Sequence, residues 1–355
     1  MSEPAPQLSR PAIAVILVNW NGWQHVVECL DSLLAQDYAN FHAFVVDNDS
    51  RDDSVEHITA WCSKPCRRDD WRRHQGVARW SEDHPGQPVD CRVLESEAAM
   101  RGVRVPAAAV SVIRSGGNPG FAGGCNIGIR VAAALDFSFF WLLNTDTVVH
   151  REALGALVDR ALQDSRIGMI GSTIRYYDRP EIVQSLGGAS LEPSTMGSHL
   201  IGSGVDLSAV PEEGAAVERQ MVYVMGASML ASAAFVREVG LLQEDYFLYG
   251  EEIDWALRAR GRFRLAYAPA SHIFHKSGAT SSRMMPLFTA QYYYRNRIRI
   301  VARFFPEKMG AAKRGLALDL IRHSLRGRWG HMRVVAAALW DAGKLAAGTH
   351  GPGGS

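Results

Sequence analysis

Short apolar runs alternate along the chain with stretches whose apolar positions recur at helical spacing. The apolar runs are residues 12–18, 41–46, 108–114, 137–143 and 167–170, and the helical stretches are residues 25–35, 54–61, 127–135 and 150–164. Continuous apolar runs predict strands that are buried on both faces, as in a parallel sheet. Their alternation with helices predicts an α/β domain with a doubly wound sheet.

The second half of the chain has a different pattern. Residues 176–220 are rich in Gly and Ser, which predicts short strands and loops around an acceptor pocket. Further strands are predicted at 221–231, 263–269 and 272–275, with a short helical turn at 235–240 and an acidic cluster that leads into a helix within 246–260. After Pro286 the chain becomes helical and basic. The pattern predicts a domain at 11–285 and a helical region at 286–346.

Residues 63–106 interrupt the alternation of strands and helices. They are rich in Arg, Asp, Pro and Trp and have no clear hydrophobic period. A segment of this length without periodicity is typical of a functional or a disordered insertion. We interpret it as an inserted loop outside the core.

Composition and charge narrow the class of protein. With 355 residues, 47% of them hydrophobic and 21% charged, the chain can bury a large core. The net charge of +1 gives no general attraction to nucleic acid. The five cysteines are irregularly spaced, which does not indicate a disulfide framework. The polar start of the chain lacks a signal-peptide core, and no run reaches the roughly 20 apolar residues of a membrane span. We expect a cytoplasmic protein.

The charge is unevenly distributed. Residues 295–344 contain twelve Lys/Arg and three Asp/Glu, a local net charge of +9 that leaves about −8 on the remainder. Such a basic segment suits the anionic inner face of a cell membrane, and it equally suits a solvated helical face. Residues 316–321 and 334–340 fit amphipathic helices that lie on a membrane surface.

Three predicted strands end in polar clusters. In open α/β sheets, ligands bind outside the carboxyl ends of the strands. Three clusters at one edge would line a crevice of nucleotide size. They are Asn19-Trp20-Asn21, Asp47-Asn48-Asp49 and Asn144-Thr145-Asp146.

A Gly-rich segment, residues 116–126, precedes the helix predicted at 127–135. Glycines allow a close approach of the backbone, and a helix N-terminus favours anions, so the segment could bring amides near a diphosphate. It has neither the spacing of the dinucleotide fingerprint nor the Lys of a P-loop.

Three further features carry candidate chemistry. Asn144 and Asp146 have the spacing of an oxygen-ligand site for Mg²⁺ or Mn²⁺, and Asp146 or Thr147 could equally cap the following helix. His275 could join such a metal or be structural. The sequence Glu251-Glu252-Ile253-Asp254 places three carboxylates together. Crowding raises a carboxylate pKa towards that of a general base, whereas an acidic helix N-terminus needs no such role.

Taken in order, these segments resemble family 2 glycosyltransferases of the GT-A fold, nearest to their rhamnosyltransferase-like branch. The resemblance covers about residues 13–303. Its motifs are residues 18–22 (VNWNG), 46–50 (VDNDS), 118–128 (NPGFAGGCNIG), 143–146 (LNTD), 247–254 (FLYGEEID) and 293–297 (YYRNR).

The resemblance implies a role for each matching residue. Positions that hold the nucleobase and ribose match Trp20, Asp47 and Asn48. The loop beside the diphosphate and the sugar matches Asn118, Gly124 and Asn126. The family's DxD motif and its metal-binding histidine match Asn144, Asp146 and His275. The expected base is Glu252, with Asp254 in reserve and Glu251 beside it.

Two positions depart from the family pattern. The DxD motif begins with Asn144, so Asp146 is its one carboxylate. The acidic motif has Glu251 where the family has Glu and Glu252 where it has Asp, one methylene longer at the base.

The resemblance implies an inverting transfer of a sugar from a nucleotide-sugar, with Mn²⁺ or Mg²⁺, to a cell-surface glycan or a glycolipid. The expected donor is dTDP-rhamnose, and the alternative is a UDP-sugar for galactofuranosyl or hexosyl transfer. A non-catalytic nucleotide-sugar-binding scaffold and a nucleotidyltransferase are alternatives from other classes. The sequence predicts no nucleic-acid partner and leaves the oligomeric state open.

Overall fold

The computed structural model describes residues 10–63, 88–95, 110–192, 194–210, 214–276 and 285–348. The strands are β1 Ile13–Asn19, β2 Phe41–Asp47, β3 Cys91–Glu95, β4 Val110–Arg114, β5 Phe139–Leu143, β6 Thr147–Val149, β7 Ile167–Tyr176, β8 Val183–Leu186, β9 Gly188–Leu191, β10 Ser198–Leu200, β11 Tyr223–Val224, β12 Ser228–Ser232 and β13 Arg264–His275. The helices are α1 Trp23–Leu34, α2 Ser54–Ser63, α3 Gly120–Ala133, α4 Ala153–Ala161, α5 Ala215–Glu218, α6 Ala233–Val239, α7 Glu251–Arg258, α8 Leu287–Phe304, α9 Met309–Leu325 and α10 Trp329–Gly348.

The protein has a mixed α/β fold around a central sheet, and the half of this sheet that runs from β3 to β5 is parallel. Its strand order is β3-β4-β2-β1-β5-β12-β7-β13-β6, and β8 pairs with β7. The strands β3, β4, β2, β1 and β5 are parallel neighbours, whereas β12 is antiparallel to both β5 and β7. The predicted fold class is confirmed, and the antiparallel pairs of this sheet involve β12, β6 and β8.

The first strands read as continuous apolar runs because both faces of the sheet are covered. In β1, Ile13, Val15 and Leu17 pack in the core layer of α1, α2 and α4. Ala14 and Ile16 pack in the opposite layer, with α3, α6 and α7. Successive side chains of a strand point to opposite faces, so a strand between two helical layers needs apolar residues at every position.

Part of the segment that we interpreted as an inserted loop is a strand. β3 lies at the edge of the sheet and pairs in parallel with β4. In β3, Arg92, Val93 and Glu95 are exposed, and only Cys91 and Leu94 pack against the core. Only two of the five residues of this edge strand contact the core, so its apolar pattern is too short to predict a strand from the sequence. Residues 64–87 and 96–106 of the segment lie outside the described residues.

One predicted helix is confirmed, and one predicted pair of strands differs from the structure. The helix predicted at 150–164 is present as α4, which is shorter and follows β6, whereas the final two predicted strands are one long strand, β13. The register of β13 shifts between Ala268 and His272, where Pro269 interrupts the ladder. The predicted short strands of 176–220 are present as β8, β9 and β10, and β9 forms a small antiparallel sheet with β10 and β11.

The basic C-terminal region is helical, as predicted. Helices α8, α9 and α10 enclose their own apolar cluster, which includes Ala290, Ile298, Leu316 and Val335. The other side of α8 places Ile300 in the core layer of α3 and α7. Among the described helices, none combines the length and the apolar character needed to cross a membrane.

Candidate active site

The carboxyl ends of β1, β2 and β5 meet at one edge of the sheet, as the sequence predicts. β1 pairs in parallel with both neighbours, and Asn19 lies opposite Asp47 in the register of β1 and β2. Asn144 directly follows β5. The three polar clusters therefore share one edge.

Asp47 is the centre of a buried network at this edge. It is 3% exposed, and its carboxylate accepts hydrogen bonds from Asn19 Nδ2 at 2.8 Å and from the hydroxyl of Ser50 at 2.6 Å. The same hydroxyl accepts from the amide of Asn21 at 2.9 Å. Asn21 and Asp49 adopt left-handed φ angles of 54° and 60°, a conformation that Asn and Asp tolerate. The loops after β1 and β2 therefore form one fixed rim.

Of the other residues predicted to contact the nucleoside or the diphosphate, some are exposed and some are buried. Trp20 is 53% exposed on this rim, with its ring 6.5 Å from that of Phe288, and Asn118 is also exposed. Asn48, in contrast, is 2% exposed, and its Nδ2 donates to the carbonyl of Gly120 at 2.9 Å. We therefore reassign Asn48 from ligand contact to the positioning of α3.

The Gly-rich segment is part of a helix, which corrects our prediction. Helix α3 begins at Gly120 and not at Ile127. A Cβ on Gly124 would lie 2.7 Å from Val18 Cγ1, and a Cβ on Gly128 would lie 2.6 Å from Ile16 Cγ2. The glycines let α3 lie directly on β1 despite their low helix propensity. Gly124 therefore shapes the floor of the crevice through packing.

Asn126 also has a structural role in place of the predicted ligand contact. It is 1% exposed, and its Nδ2 donates to the carbonyl of Leu242 and to Glu244 Oε1, both at 2.9 Å. Its Oδ1 accepts from the amide of Leu242 at 3.0 Å. Both amide hydrogens are used, so Asn126 anchors the chain before α7.

Asp146 and His275 form the pair that the sequence predicts for a metal. Asp146 Oδ1 lies 3.2 Å from His275 Nε2, and His275 Nδ1 lies 2.9 Å from Gln184 Oε1. Because the amide oxygen of Gln184 can only accept, it holds the proton on Nδ1 and directs Nε2 towards Asp146. Burial would raise the pKa of Asp146, but a His275 ring protonated at both nitrogens lowers it through its hydrogen bond and charge, and the charge of a protonated His25 lowers it further, so this pKa is lowered.

The alternative that Asp146 caps a helix is wrong. The residues that follow it form β6, and α4 begins only at Ala153. Asn144 is held through its backbone, since its amide donates to Ala227 and its carbonyl accepts from the Thr147 hydroxyl at 2.7 Å. Its side chain is half-buried, two positions before Asp146 in the sequence.

Four residues near Asp146 were missed by sequence reasoning. Lys276, whose amide donates to the carbonyl of Asp146, pairs with Glu28 and places Nζ 3.2 Å from His25 Nδ1. Tyr177 donates to Glu28 at 2.8 Å. Burial, with the charge of Lys276, lowers the pKa of His25. The one available signal was the i, i+3 spacing of His25 and Glu28, which places both on one face of α1.

The loop before α7 is held in an uncommon conformation. Phe247, Tyr249 and Gly250 have φ angles of 63°, 65° and 103°. Asn296 of α8 stabilises them, because its Nδ2 lies within 2.9 Å of the carbonyls of Tyr246, Leu248 and Tyr249. Asn296 belongs to the motif at 293–297, and its role is to present the acidic start of α7.

Glu251 and Glu252 differ in their surroundings. Glu251 is 4% exposed, with Oε2 buried and unpartnered, and burial followed by the charge of Glu252 raises its pKa well above the ordinary value. Glu252 is half-buried, and Oε2 accepts from the amide of Gly250 at 3.0 Å. Burial raises its pKa as well, against the hydrogen bonds of its own amide and of Gly250. Glu252 is the carboxylate that combines access with a raised pKa.

Asp254 is not available as a base, which corrects its place as the reserve candidate. It is fully buried, and its carboxylate pairs with Arg258 Nε at 2.6 Å and with Arg303 Nη1 at 2.7 Å. The hydroxyl of Tyr246 also donates to it at 3.2 Å. Two guanidinium partners stabilise the anion and occupy its lone pairs, so Asp254 fixes α7 to α8.

We expect Asp254→Asn to lower the free energy of unfolding by about 3–5 kcal/mol, because it leaves two arginine charges without their buried partner. Chemical denaturation of both proteins measures the difference. The matched control is Asp159→Asn, which breaks the exposed pair with Arg10 and should change stability by less than about 1 kcal/mol. Equal denaturation midpoints for Asp254→Asn and the parent would contradict this structural role.

Tyr249 connects the acidic start of α7 with Asp146. Burial raises its pKa most, and the charges of Glu251, Glu252 and Asp146 raise it further. One phenol therefore lies within electrostatic reach of the candidate base and of the candidate metal ligand. We therefore interpret the acidic start of α7 and Asp146 as parts of one candidate site.

The protein offers a small ligand set to a metal. Within the described ranges, no group of three or more His, Cys, Asp or Glu residues is arranged to hold an ion. The 3.2 Å between Asp146 Oδ1 and His275 Nε2 is close to the ~3 Å that separates adjacent ligands of an octahedral ion at about 2.1 Å. The pair fits two positions of a Mg²⁺- or Mn²⁺-type ion, with the remaining positions open to diphosphate and water.

Comparison with known protein families places this site in context. The sequence model of the family described as "Glycosyltransferase like family 2" matches residues 87–299, more than half of the chain. The model described as "Glycosyl transferase family 2" matches residues 14–79. The chain belongs to glycosyltransferase family 2. Together the two matches include the strand-end clusters, Asp146, α7 and His275.

A hexosyltransferase is similar to this chain over about half of its length. The chain is 26% identical over 190 residues to the low-salt glycan biosynthesis hexosyltransferase Agl10 of Haloferax volcanii, a match that covers 53% of this chain. It spans 59% of the length of that relative.

Solved structures of glycosyltransferases share the fold. GalNAc-T7, solved with UDP, GalNAc and Mn²⁺, matches with a TM-score of 0.57 and 14% identity over 87% of this chain and 51% of that one. TarS 1–349 of S. aureus, solved with UDP-GlcNAc, matches with a TM-score of 0.53 and 13% identity over 94% and 81%. The GT-A expectation for the fold is confirmed.

Proposed function

We propose that this protein is an inverting, divalent-cation-dependent glycosyltransferase that moves a sugar from a nucleotide-sugar to an acceptor hydroxyl. The observation that carries the proposal is that the Asp47 rim and Asp146 of the pair Asp146–His275 follow strands at one sheet edge, with Asp146 and the carboxylate of Glu252 both within electrostatic reach of Tyr249. Family membership supports the same reaction class.

Each part has a distinct role in the proposed reaction. The rim with Trp20 and Asp47 holds the nucleoside, and Asn118 lies beside the diphosphate and sugar. Asp146 and His275 would hold Mn²⁺ or Mg²⁺, with Asn144 as a weak or water-mediated partner. When bound, the cation neutralises charge on the departing diphosphate. Glu252 removes the proton of the acceptor hydroxyl.

The transfer is a single displacement. The acceptor oxygen forms a bond to the anomeric carbon as the bond from that carbon to the diphosphate oxygen breaks. The electron pair leaves with the nucleoside diphosphate, and the proton remains on Glu252. Attack opposite to the leaving group inverts the anomeric configuration.

The proposed donor is dTDP-rhamnose, on the motif resemblance of residues 118–128 and 247–254. The alternative is a UDP-hexose, which the hexosyltransferase name of the Haloferax relative supports. A thermal-shift screen of both donor types, with Mn²⁺ and with EDTA, tests donor binding. Stabilisation by one nucleotide-sugar that EDTA removes supports the proposal, and no stabilisation by any donor contradicts it.

We further propose that the acceptor is a membrane-linked glycan and that α9 lies on the inner leaflet. Arg314, Leu318, Ile321 and Leu325 follow one another at spacings of three or four residues and are all exposed. An exposed face that mixes Leu, Ile and Arg is typical of helices at the surface of anionic membranes.

We expect Leu318→Glu with Leu325→Glu to reduce binding to phosphatidylglycerol-containing vesicles at least ten-fold, because two apolar contacts become repelled charges. Co-sedimentation with vesicles measures the partition. Leu162→Glu, at an exposed leucine after α4, is the control and should bind as the parent does. Unchanged sedimentation of the double variant would show that α9 is not the membrane-binding face.

A further inference from the structure

A cavity of about 270 Å³ lies beside Glu252, between the small sheet of β9–β11 and helix α8. Most of its wall is apolar. The apolar side chains include Leu191, Met196, Leu200, Ile253, Met285 and Val301.

Several polar side chains of the wall are already hydrogen-bonded. The hydroxyls of Ser198 and Tyr223 bond to each other. The amide of Asn296 holds the loop before α7. Arg297 bonds to Asp319 and to the carbonyl of Thr195, and only its Nε is buried without a partner. The other polar groups of the wall are the hydroxyls of Tyr249 and Tyr293 and the carboxylate of Glu252, and they are a small part of a mostly apolar surface. A sugar ring would leave hydroxyls unpaired against that apolar surface, at a cost for each.

We infer that the cavity binds an apolar group of the acceptor, such as an alkyl or aryl aglycone, and that it thereby holds the acceptor hydroxyl near Glu252. Glu252 is both a wall residue and the proposed base, so a group anchored here lies next to the site of proton removal. Burial of apolar surface supplies the binding energy, because apolar side chains form most of the wall. This inference rests on the proposed function and narrows its acceptor to an amphiphile.

Two methionines of the wall provide a direct test. In the full-length protein labelled with ¹³C-methyl methionine, Met196→Leu and Met285→Leu assign the two signals. We expect n-octyl β-D-glucoside, below its micelle concentration, to shift both signals, and methyl β-D-glucoside at the same concentration to leave them unchanged. No shift with the octyl compound, or equal shifts with both compounds, overturns the inference.

A cavity-filling variant completes the test. Leu200→Trp should weaken the octyl response at least ten-fold, with Leu191→Trp as a second variant should the first fail to fold, and Leu162→Trp as the surface control. An undiminished response in folded cavity variants places the alkyl chain elsewhere and overturns the inference. The thermal shift with nucleotide-sugars, measured on the same samples, reports donor binding separately. If the protein responds to octyl glucoside but no nucleotide-sugar stabilises it, the proposed function is contradicted. If a nucleotide-sugar stabilises it but octyl glucoside gives no response, only the cavity assignment is contradicted.

Discussion

Glu252→Gln is expected to lower kcat about 10²–10⁴-fold with a small change in donor binding, because glutamine keeps the shape of the side chain and cannot take a proton. The residue is half-buried, and burial raises its pKa from the ordinary value of 4.5. Activity of the parent should therefore rise with pH as Glu252 ionises, with an apparent pKa above 4.5, and Glu252→Gln should lose that limb of the profile. Initial rates of nucleoside diphosphate release across pH measure both effects.

Glu251→Gln is the matched control for this experiment. Burial and the charge of Glu252 raise the pKa of Glu251 well above its ordinary value, but the side chain is only 4% exposed, so an acceptor hydroxyl has little access to it. We expect the variant to keep its rate within a few-fold. The folded state binds this proton more tightly than the unfolded chain, so stability should fall as the pH rises through the folded pKa, and glutamine should remove that loss. Parent-like turnover in Glu252→Gln with inactive Glu251→Gln would reverse the two assignments.

Asp146→Asn is expected to lower metal-dependent turnover by roughly 10²–10³-fold, a loss of several kcal/mol of charge stabilisation at the leaving group. Asp146 is the one carboxylate of its motif, and its lowered pKa keeps it ionised and ready to bind a cation. Titration of Mn²⁺ in the presence of nucleoside diphosphate, followed by electron paramagnetic resonance, measures the affinity apart from the rate.

Two further variants distinguish the proposed metal ligands, Asp146 and His275, from the residue that positions His275. Gln184→Leu removes the acceptor that holds His275 Nδ1, and we expect a 10–100-fold loss of Mn²⁺ affinity. Asp136→Asn, at an exposed turn after α3, should leave both affinity and rate unchanged. Parent-like Mn²⁺ binding by Asp146→Asn would contradict the assignment of the metal site.

The positions of the residues at the strand ends could be predicted from the sequence, because strands that are buried on both faces of the sheet have a clear apolar pattern. β1 and β5 begin as continuous apolar runs, and β2 is apolar apart from the buried His42 before its terminal Asp47. Parallel pairing brings together the polar residues at their ends. The positions of Asp47 and Asp146 at one edge follow from that topology.

The roles of the Gly-rich segment and of Asn126 could not be predicted, because they depend on contacts between distant segments. A glycine costs about 1 kcal/mol in a helix, so the segment reads as a loop until the contact of Gly124 with Val18 is known. Asn126 meets Leu242, 116 residues away, and Asp254 meets Arg303. Local pattern does not distinguish such structural partners from ligand contacts.

The partners of the candidate metal pair were missed for a similar reason. Gln184 lies on the short strand β8 in a Gly- and Ser-rich stretch that carries no chemical signature. Lys276 follows His275 but acquires its place from Glu28 on α1. Only the folded chain shows that these side chains surround Asp146 and His275.

The central claim is that this sheet edge transfers a sugar from a nucleotide-sugar to a hydroxyl, with inversion. The most direct measurement is ¹H NMR of the parent protein with Mn²⁺, an octyl glycoside acceptor, and dTDP-rhamnose or a panel of UDP-hexoses. We predict release of nucleoside diphosphate together with a new glycosidic anomeric signal of the configuration opposite to that of the donor. Pyrophosphate formation from a nucleoside triphosphate, retention of the donor's configuration, or no turnover of any donor would contradict the account.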